Sequence, residues 1–301
     1  MTKTRTPIHP QDNPSEKWIE WSLLVATAVS AGAILAIFLL LFYFCLPLFT
    51  WIRLSQVLSW HWQPVAGNFG ILPMCAGSLA LSILALVLAF PPAIGICSLV
   101  HVLSRGFFSR FLLALIHFMT SIPTVIIGFV SVFVLVPRLR EWLAAGSGFS
   151  LITAALTLSV LILPTIVLVF HARLERLDPL LRLTAEAMGF TPIQQMRYVL
   201  LPAASRGLTA AAVLGFGRAI GDTLISLMLA GNAAQFPGSI FASIRTLTAH
   251  IALVLATDSQ SMAYQSVFAS GLFLFLIMGA FNFIIQKSGQ KTGDRQHEKI
   301  I

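Results

Sequence analysis

Two charged residues, Arg218 and Asp222, interrupt an apolar stretch that reads GRAIGDTLISLMLAGN. Side chains four residues apart on a helix share one face and can form an ion pair. A charge at the centre of a membrane helix costs about 2.5–3.5 kcal/mol on insertion scales, so such residues usually face a bundle interior or a water-filled path. We expect Arg218 to attract a passing oxyanion, with Asp222 as its counter-charge and Thr223 beside them. The alternative is an ion pair that only fixes helix packing.

The preceding segment is polar and carries helix start and stop signals. The Asp-Pro pair at 178–179 suits the start of a helix, because Asp caps free N–H groups and Pro fits the first helical position. Gly189 suits the left-handed residue that ends such a helix. Thr191 and Gln194 have the spacing of a capping box for a second helix, which Pro202 is expected to close. The sequence predicts two short helices joined by a tight turn.

The composition places the elements around these residues in a bilayer. The chain has 301 residues, of which 57% are hydrophobic and 10% charged, with a mean hydropathy of +0.88. Soluble domains carry about 25% charged residues. The net charge of +8 is spread along the chain at helix ends, which favours membrane topology over nucleic-acid binding. Free buried thiols, neither disulfide nor metal ligands, are expected at Cys45, Cys75 and Cys97.

Six apolar stretches are long enough to cross a membrane. They are residues 21–49, 71–100, 111–136, 149–170, 207–231 and 262–286. Residues 241–256 are apolar but hold Arg245 and His250 and are short for a crossing, so they are expected to be re-entrant or interfacial. With both termini in the cytoplasm, most of the 19 Lys and Arg residues lie inside, as the positive-inside rule requires. The expected organisation is a tail (1–20), a first helix with an outer loop (21–70), a core (71–286) containing a cytoplasmic coupling loop (172–206), and a tail (287–301).

The coupling loop resembles the EAA loop of ABC importer permeases. That pattern reads E-A-A, three residues, G, nine residues, I, one residue, L-P. Gly189 and Leu201-Pro202 match it in spacing, and Val199 stands in the Ile position. Leu183 and Thr184 occupy the positions of the Glu and the first Ala.

Further stretches resemble the PstC-type permeases for phosphate and follow their order along the chain. They are WQPVAGNFGILP at 62–73, SIPTVIIGF at 121–129, GRAIGDT at 217–223 and RTLTAHIAL at 245–253. The third typically reads GRAxGET in that family, so Asp222 replaces a Glu. The resemblance covers residues 60–286.

This resemblance implies an all-α membrane protein with the type I ABC importer permease fold and six transmembrane helices. It implies a multi-pass subunit of the cytoplasmic membrane that translocates inorganic phosphate. The implied partners are a PstA-type permease, two PstB-type ATP-binding subunits and an external PstS-type phosphate-binding protein. Contacts to the ATPase are expected from Arg182, Glu186, Ala187, Gly189, Thr191 and Pro202.

The sequence contains no GxxxxGK[ST] phosphate-binding loop, so ATP and Mg are expected on the partner ATPase and no cofactor on this chain. We therefore expect no catalytic residue. The histidines at 61, 101, 117, 171 and 250 lack metal-ligand spacing, and no metal site is expected.

Three alternative functions stay open at this point. One is a permease for another oxyanion, such as molybdate, sulfate or phosphonate, because one Arg suits any of these anions. A secondary transporter is disfavoured because the sequence shows no internal repeat. An intramembrane hydrolase is disfavoured because Ser147 has no nearby His.

Overall fold

The computed structural model describes residues 14–46, 55–102, 106–143, 147–177, 179–255 and 262–297, most of which are helical. In chain order the helices are α1 (Pro14–Cys45), α2 (Leu72–Val102), α3 (Phe107–Ser121), α4 (Thr124–Leu143), α5 (Leu151–Glu175), α6 (Pro179–Ala187), α7 (Pro192–Ala203), α8 (Ser205–Ile220), α9 (Leu224–Leu229), α10 (Leu247–Val254) and α11 (Met262–His297).

Helices α1, α2 and α5 are long and apolar enough to cross a membrane by length and composition. Two bent pairs meet the same test together, α3 with α4 and α7 with α8. The first and last helices extend beyond their predicted bounds. Helix α1 begins at Pro14, inside the predicted tail, and α11 continues to His297. Pro14 suits a helix start because its missing N–H has no helical partner there in any case.

Helix α1 lies at the edge of the bundle and contacts α11. Its side chains are largely exposed. Two aromatic pairs join the helices: the ring centroids of Phe38 and Phe275 are 5.2 Å apart, and those of Phe44 and Phe268 are 4.6 Å apart. An exposed apolar helix of this length suits contact with lipid.

A small hairpin precedes α2. Strands β1 (Trp62–Gln63) and β2 (Asn68–Phe69) pair antiparallel around a 3₁₀ turn. Gly67 ends that turn in the left-handed conformation, with φ of 74°. Helix α2 then runs without a break through Pro91 and Pro92. Prolines are tolerated within membrane helices when neighbouring groups satisfy the freed carbonyls.

The stretch predicted as the third span, 111–136, is two helices. Helices α3 and α4 meet at an angle of 96°. Ile122 takes an extended conformation, with φ of −76° and ψ of 122°. The cause is Pro123, because the residue before a proline avoids the helical region.

Helix α5 is the centre of the described core. Side chains along its whole length are buried, and α2 and α8 pack against it. The contact with α8 is close at Gly215, where an added Cβ would lie 2.7 Å from Ile166 Cγ1. Small residues permit this approach between membrane helices.

The stretch predicted as the fifth span, 207–231, is also two helices. Helix α8 ends at Ile220 and α9 begins at Leu224. Residues 221–223 form the break between them. The following α10 has only eight residues and is largely buried. At about 1.5 Å per residue such a helix spans about 12 Å, which is too short to cross a hydrocarbon core of about 30 Å.

Candidate functional site: a charged helix break and a capped loop

Two short helices form where they were predicted, with the predicted left-handed glycine between them and the predicted capping box at the start of the second. Helix α6 ends at Ala187, and Gly189 follows with φ of 76°. Phe190 N donates to Ala185 O and Gly189 N donates to Glu186 O, the paired bonds that end many helices at a left-handed glycine. Asp178 lies outside the described residues.

Helix α7 begins with the predicted capping box. Thr191 N donates to Gln194 Oε1 at 2.9 Å, and Gln194 N donates to Thr191 Oγ1 at 3.4 Å. Residues 195–200 are π-helical, which the sequence analysis did not foresee. The helix ends at Ala203, one residue after Pro202, and α8 follows at an angle of 72°.

An apolar surface lies on the outside of this loop. We call it the loop face, and it comprises Leu180, Leu183, Met188, Ile193 and Tyr198, each at least 60% exposed. The predicted contact residues Glu186, Ala187, Gly189, Thr191 and Pro202 are also exposed. Exposed apolar side chains on a polar loop mark a surface suited to another protein.

Arg182 differs from the other predicted contact residues because it is turned toward the bundle. Its Nη2 lies 3.0 Å from His101 Nδ1, and Gln195 Nε2 donates to its carbonyl at 3.0 Å. His101 in turn contacts His171. This contact was not predicted, because the two histidines are 70 residues apart in the sequence and no local spacing signals it.

The charged pair lies at the break between α8 and α9. Arg218 Nη1 donates to Thr165 Oγ1 of α5 at 2.9 Å. Asp222 Oδ2 accepts from Ile225 N at 2.8 Å, so this carboxylate caps α9. Among the described residues no ion pair within 4.0 Å joins Arg218 to Asp222. The expected pairing on one helix face is wrong, because the helix ends before Asp222.

A cluster of buried hydroxyl groups supports the break. Ser226 Oγ donates to the carbonyls of Asp222 and Thr223, each at 3.0 Å. Thr248 Oγ1 donates to Asp222 O at 3.1 Å, and Thr246 Oγ1 lies 3.0 Å from Ser226 Oγ. The hydroxyls of Ser226 and Thr248 thus satisfy the carbonyl of Asp222 at the point where the helix is interrupted. The RTLTA run at 245–249 was part of the family resemblance, but hydrogen bonding of its threonines to the break was not predicted.

The two groups of site residues lie at opposite ends of α8. Arg218 follows Ser205 by 13 residues, a rise of about 20 Å along the helix. Arg218, Asp222 and Thr223 lie together at one end, and the capped loop lies at the other. Within the described part of the chain, no cluster of three or more His, Cys, Asp or Glu side chains could hold a metal.

Comparisons with known proteins agree with this geometry. Residues 93–288 match the family model "Binding-protein-dependent transport system inner membrane component". The chain is 33% identical over 231 residues to the probable ABC transporter permease protein YqgH of Bacillus subtilis, covering 76% of this chain and 75% of that protein. It is 26% identical over 287 residues to the phosphate transport system permease protein PstC of Haemophilus influenzae, covering 87% and 90%.

Solved structures share the fold at low sequence identity. One is the inward-facing MetNI methionine ABC transporter, with a TM-score of 0.61 and 20% identity over 77% of this chain and 99% of that chain. Another is a bacterial ABC transporter that imports alginate, with a TM-score of 0.61 and 14% identity over 92% and 96%. The chain therefore belongs to the family of binding-protein-dependent transport system inner membrane components, as a multi-pass permease subunit of an ABC importer with the type I fold.

Proposed function

We propose that this permease subunit translocates inorganic phosphate across the cytoplasmic membrane, in a complex driven by ATP hydrolysis on other subunits. The similarity to PstC, a phosphate transport permease, over 87% of the chain carries the substrate assignment. PstC proteins from three other bacteria match over 72–79% of the chain.

The break between α8 and α9, where Arg218 and Asp222 lie, is the proposed anion path. Arg218 is half-buried and is held by Thr165, so its guanidinium is fixed in position. A guanidinium presents a planar set of donors that suits phosphate oxygens. Asp222 is engaged at the start of α9, which leaves the guanidinium free of a short carboxylate contact among the described residues. Its nearby negative charge limits how tightly an anion is held, and conduction needs binding weak enough to release.

The loop face is the proposed contact for an ATP-binding subunit. The rigid turn at Gly189 and the capping box hold α6 and α7 in fixed relation. Movement of an ATPase bound there is transmitted through α7 to α8, whose far end carries Arg218. The proposed complex also contains a PstA-type permease, two PstB-type ATPases and a PstS-type external binding protein.

Uptake of labelled phosphate tests this proposal. A strain lacking the chain is complemented with the wild-type gene, and uptake is measured alone and with excess sulfate, molybdate or a phosphonate. We expect restored uptake that only unlabelled phosphate suppresses. Failure of the wild-type gene to restore phosphate uptake would contradict the proposal, and suppression of phosphate uptake by another oxyanion would show that the subunit also accepts that anion.

A further inference from the structure

Side chains from three helices form a hydrogen-bonded chain where the coupling loop meets the bundle. His101 lies at the end of α2, His171 near the end of α5, and Arg182 within α6. Arg182 Nη2 is 3.0 Å from His101 Nδ1, and His101 Nε2 is 3.2 Å from His171 Nδ1. His171 Nε2 is 3.4 Å from Glu175 Oε1. We call these four residues the histidine link.

The position of each proton in the histidine link follows from Arg182. A guanidinium has only donors, so His101 Nδ1 must accept. The neutral His101 ring then carries its hydrogen on Nε2 and donates it to His171 Nδ1. His171 in turn carries its hydrogen on Nε2 and donates it to Glu175. The chain of contacts therefore places the hydrogen of each neutral ring on Nε2.

Protonation of either ring breaks this pattern. A second hydrogen on His101 would face the N–H of Arg182, placing two donors and two positive charges about 3 Å apart, which is unfavourable away from bulk water. A second hydrogen on His171 would face the Nε2 hydrogen of His101. Besides the two rings and Arg182, the titratable groups beside them in the described part of the chain are Glu175 of α5, whose side chain is 63% exposed, and Cys97 of α2, whose thiol donates to Val167 O.

We propose that His101, oriented by His171, is a positioning residue that holds α6, and with it the loop face, against α2 and α5 only while its own imidazole is neutral. The inference rests on the proposed role of the loop face as the ATPase contact. An imidazole released into water titrates near its ordinary pKa of about 6.5. Because the linked form excludes the extra proton, each pH unit below that value favours release of α6 by about tenfold.

The link is most stable above about pH 6.5 and loses stability as the pH falls below it. Acidification of the compartment that contains the loop would therefore uncouple the loop from the bundle and leave the anion path itself unchanged.

The test compares variants that keep an acceptor at the Nδ1 position, the one that faces Arg182 at residue 101, but cannot titrate. In His101→Asn and His171→Asn the amide oxygen takes the place of the accepting Nδ1, and no proton is gained in the range where histidine titrates. Arg182→Gln removes the positive charge that faces His101. The matched control is His117→Asn, because His117 lies exposed on α3.

Two readouts are measured at about pH 7.5 and about pH 5.5, on either side of histidine titration. The first is the amount of ATPase that co-purifies with the complete complex, and the second is phosphate imported per ATP hydrolysed in proteoliposomes. We expect both to fall at least severalfold at the lower pH in the wild type and in His117→Asn. Both should stay level in the His101→Asn, His171→Asn double variant.

Histidine-selective ¹⁵N NMR of the purified complex gives an independent check, with both rings expected as the neutral Nε2–H form at neutral pH. A wild-type pH profile that persists in the double variant overturns the proposal, as does a neutral His101 with its hydrogen on Nδ1. If the double variant does not fold, the proposal is tested by the same two readouts on Arg182→Gln and by the NMR signals. Absence of phosphate uptake by the wild type at every pH would instead contradict the proposed substrate, since ATPase retention is measured separately.

Discussion

Arg218 is the residue on which the proposed transport chemistry depends. Its guanidinium donates to the Thr165 hydroxyl of α5 at 2.9 Å. Asp222, the ion-pair partner that the sequence predicted, instead accepts a hydrogen bond from the first turn of α9. The position of the arginine is thus set by a neutral group, which leaves its charge available to an anion.

Substitutions of Arg218 should reduce phosphate uptake in a defined order. Arg218→Lys keeps the charge but loses the planar donor set, and Arg218→Ala loses both, so we expect uptake to rank wild type, then Lys, then Ala. One hydrogen bond to a charged group is worth about 1.5–3 kcal/mol, so the loss on Arg218→Ala should reach roughly tenfold or more. Initial uptake rates, normalised to the amount of subunit in the membrane, give the ranking.

The double variant Arg218→Met with Asp222→Leu separates transport from packing. It replaces both charges with apolar side chains of similar bulk. If this variant inserts normally and imports phosphate at the wild-type rate, the two residues serve helix packing and the anion path lies elsewhere.

The loop between α6 and α7 shows how much of an element the sequence can specify. The left-handed Gly189 and the box of Thr191 and Gln194 depend on residues within four positions of one another, and the prediction of each is confirmed. The breaks at Ile122 and at 221–223 were not predicted, although Pro123 was a local signal for the first. The second depends on hydroxyls from 246–248 that only the fold brings close.

Gly189 should be intolerant of a β-branched side chain. A residue other than glycine in the left-handed region costs about 1–2 kcal/mol, and Gly189→Val should therefore reorient α7 relative to α6. We expect loss of ATPase co-purification, while membrane insertion is retained. Gly189→Asn is the matched control because Asn tolerates this conformation better. Equal ATPase binding by Gly189→Val and wild type would contradict the proposed role of the turn.

The α5–α8 contact should be sensitive to a single methyl group. In Gly215→Ala the new Cβ would lie 2.7 Å from Ile166 Cγ1, and overpacking of this kind costs about 1–3 kcal/mol. The midpoint of thermal unfolding in detergent should fall. Gly95→Ala on α2 should leave it unchanged or slightly raised, since nothing lies within 4 Å of the added Cβ.

A second substitution tests the cause of this effect. Adding Ile166→Ala to Gly215→Ala removes the atom that clashes, so the double variant should be destabilised by less than the sum of the two single changes. Strict additivity would show that the two side chains do not meet.

At the scale of the whole molecule, the sequence predicted a membrane protein and its orientation, but it did not predict where the backbone bends. Composition alone required a bilayer, and charge placement gave an expected orientation. Periodicity could not reveal bends within apolar stretches, because a buried or lipid-facing helix is apolar on all sides and offers no contrast along its length. Helices α8 and α9 therefore looked like one span in the sequence.

The orientation of the whole chain is the last prediction. If α10 only enters the membrane, α11 should end on the same side as the coupling loop, and most of the 19 Lys and Arg residues then lie in the cytoplasm. A cysteine at Ser288, within α11, should react with a membrane-impermeant maleimide only after cells are opened. Val65→Cys, at a fully exposed position in the hairpin turn, should react in intact cells and serves as the control. The native cysteines Cys45, Cys75 and Cys97 are buried, so background labelling should be low. Reaction of Ser288→Cys in intact cells would require a further crossing before α11 and would reverse the assignment of its end.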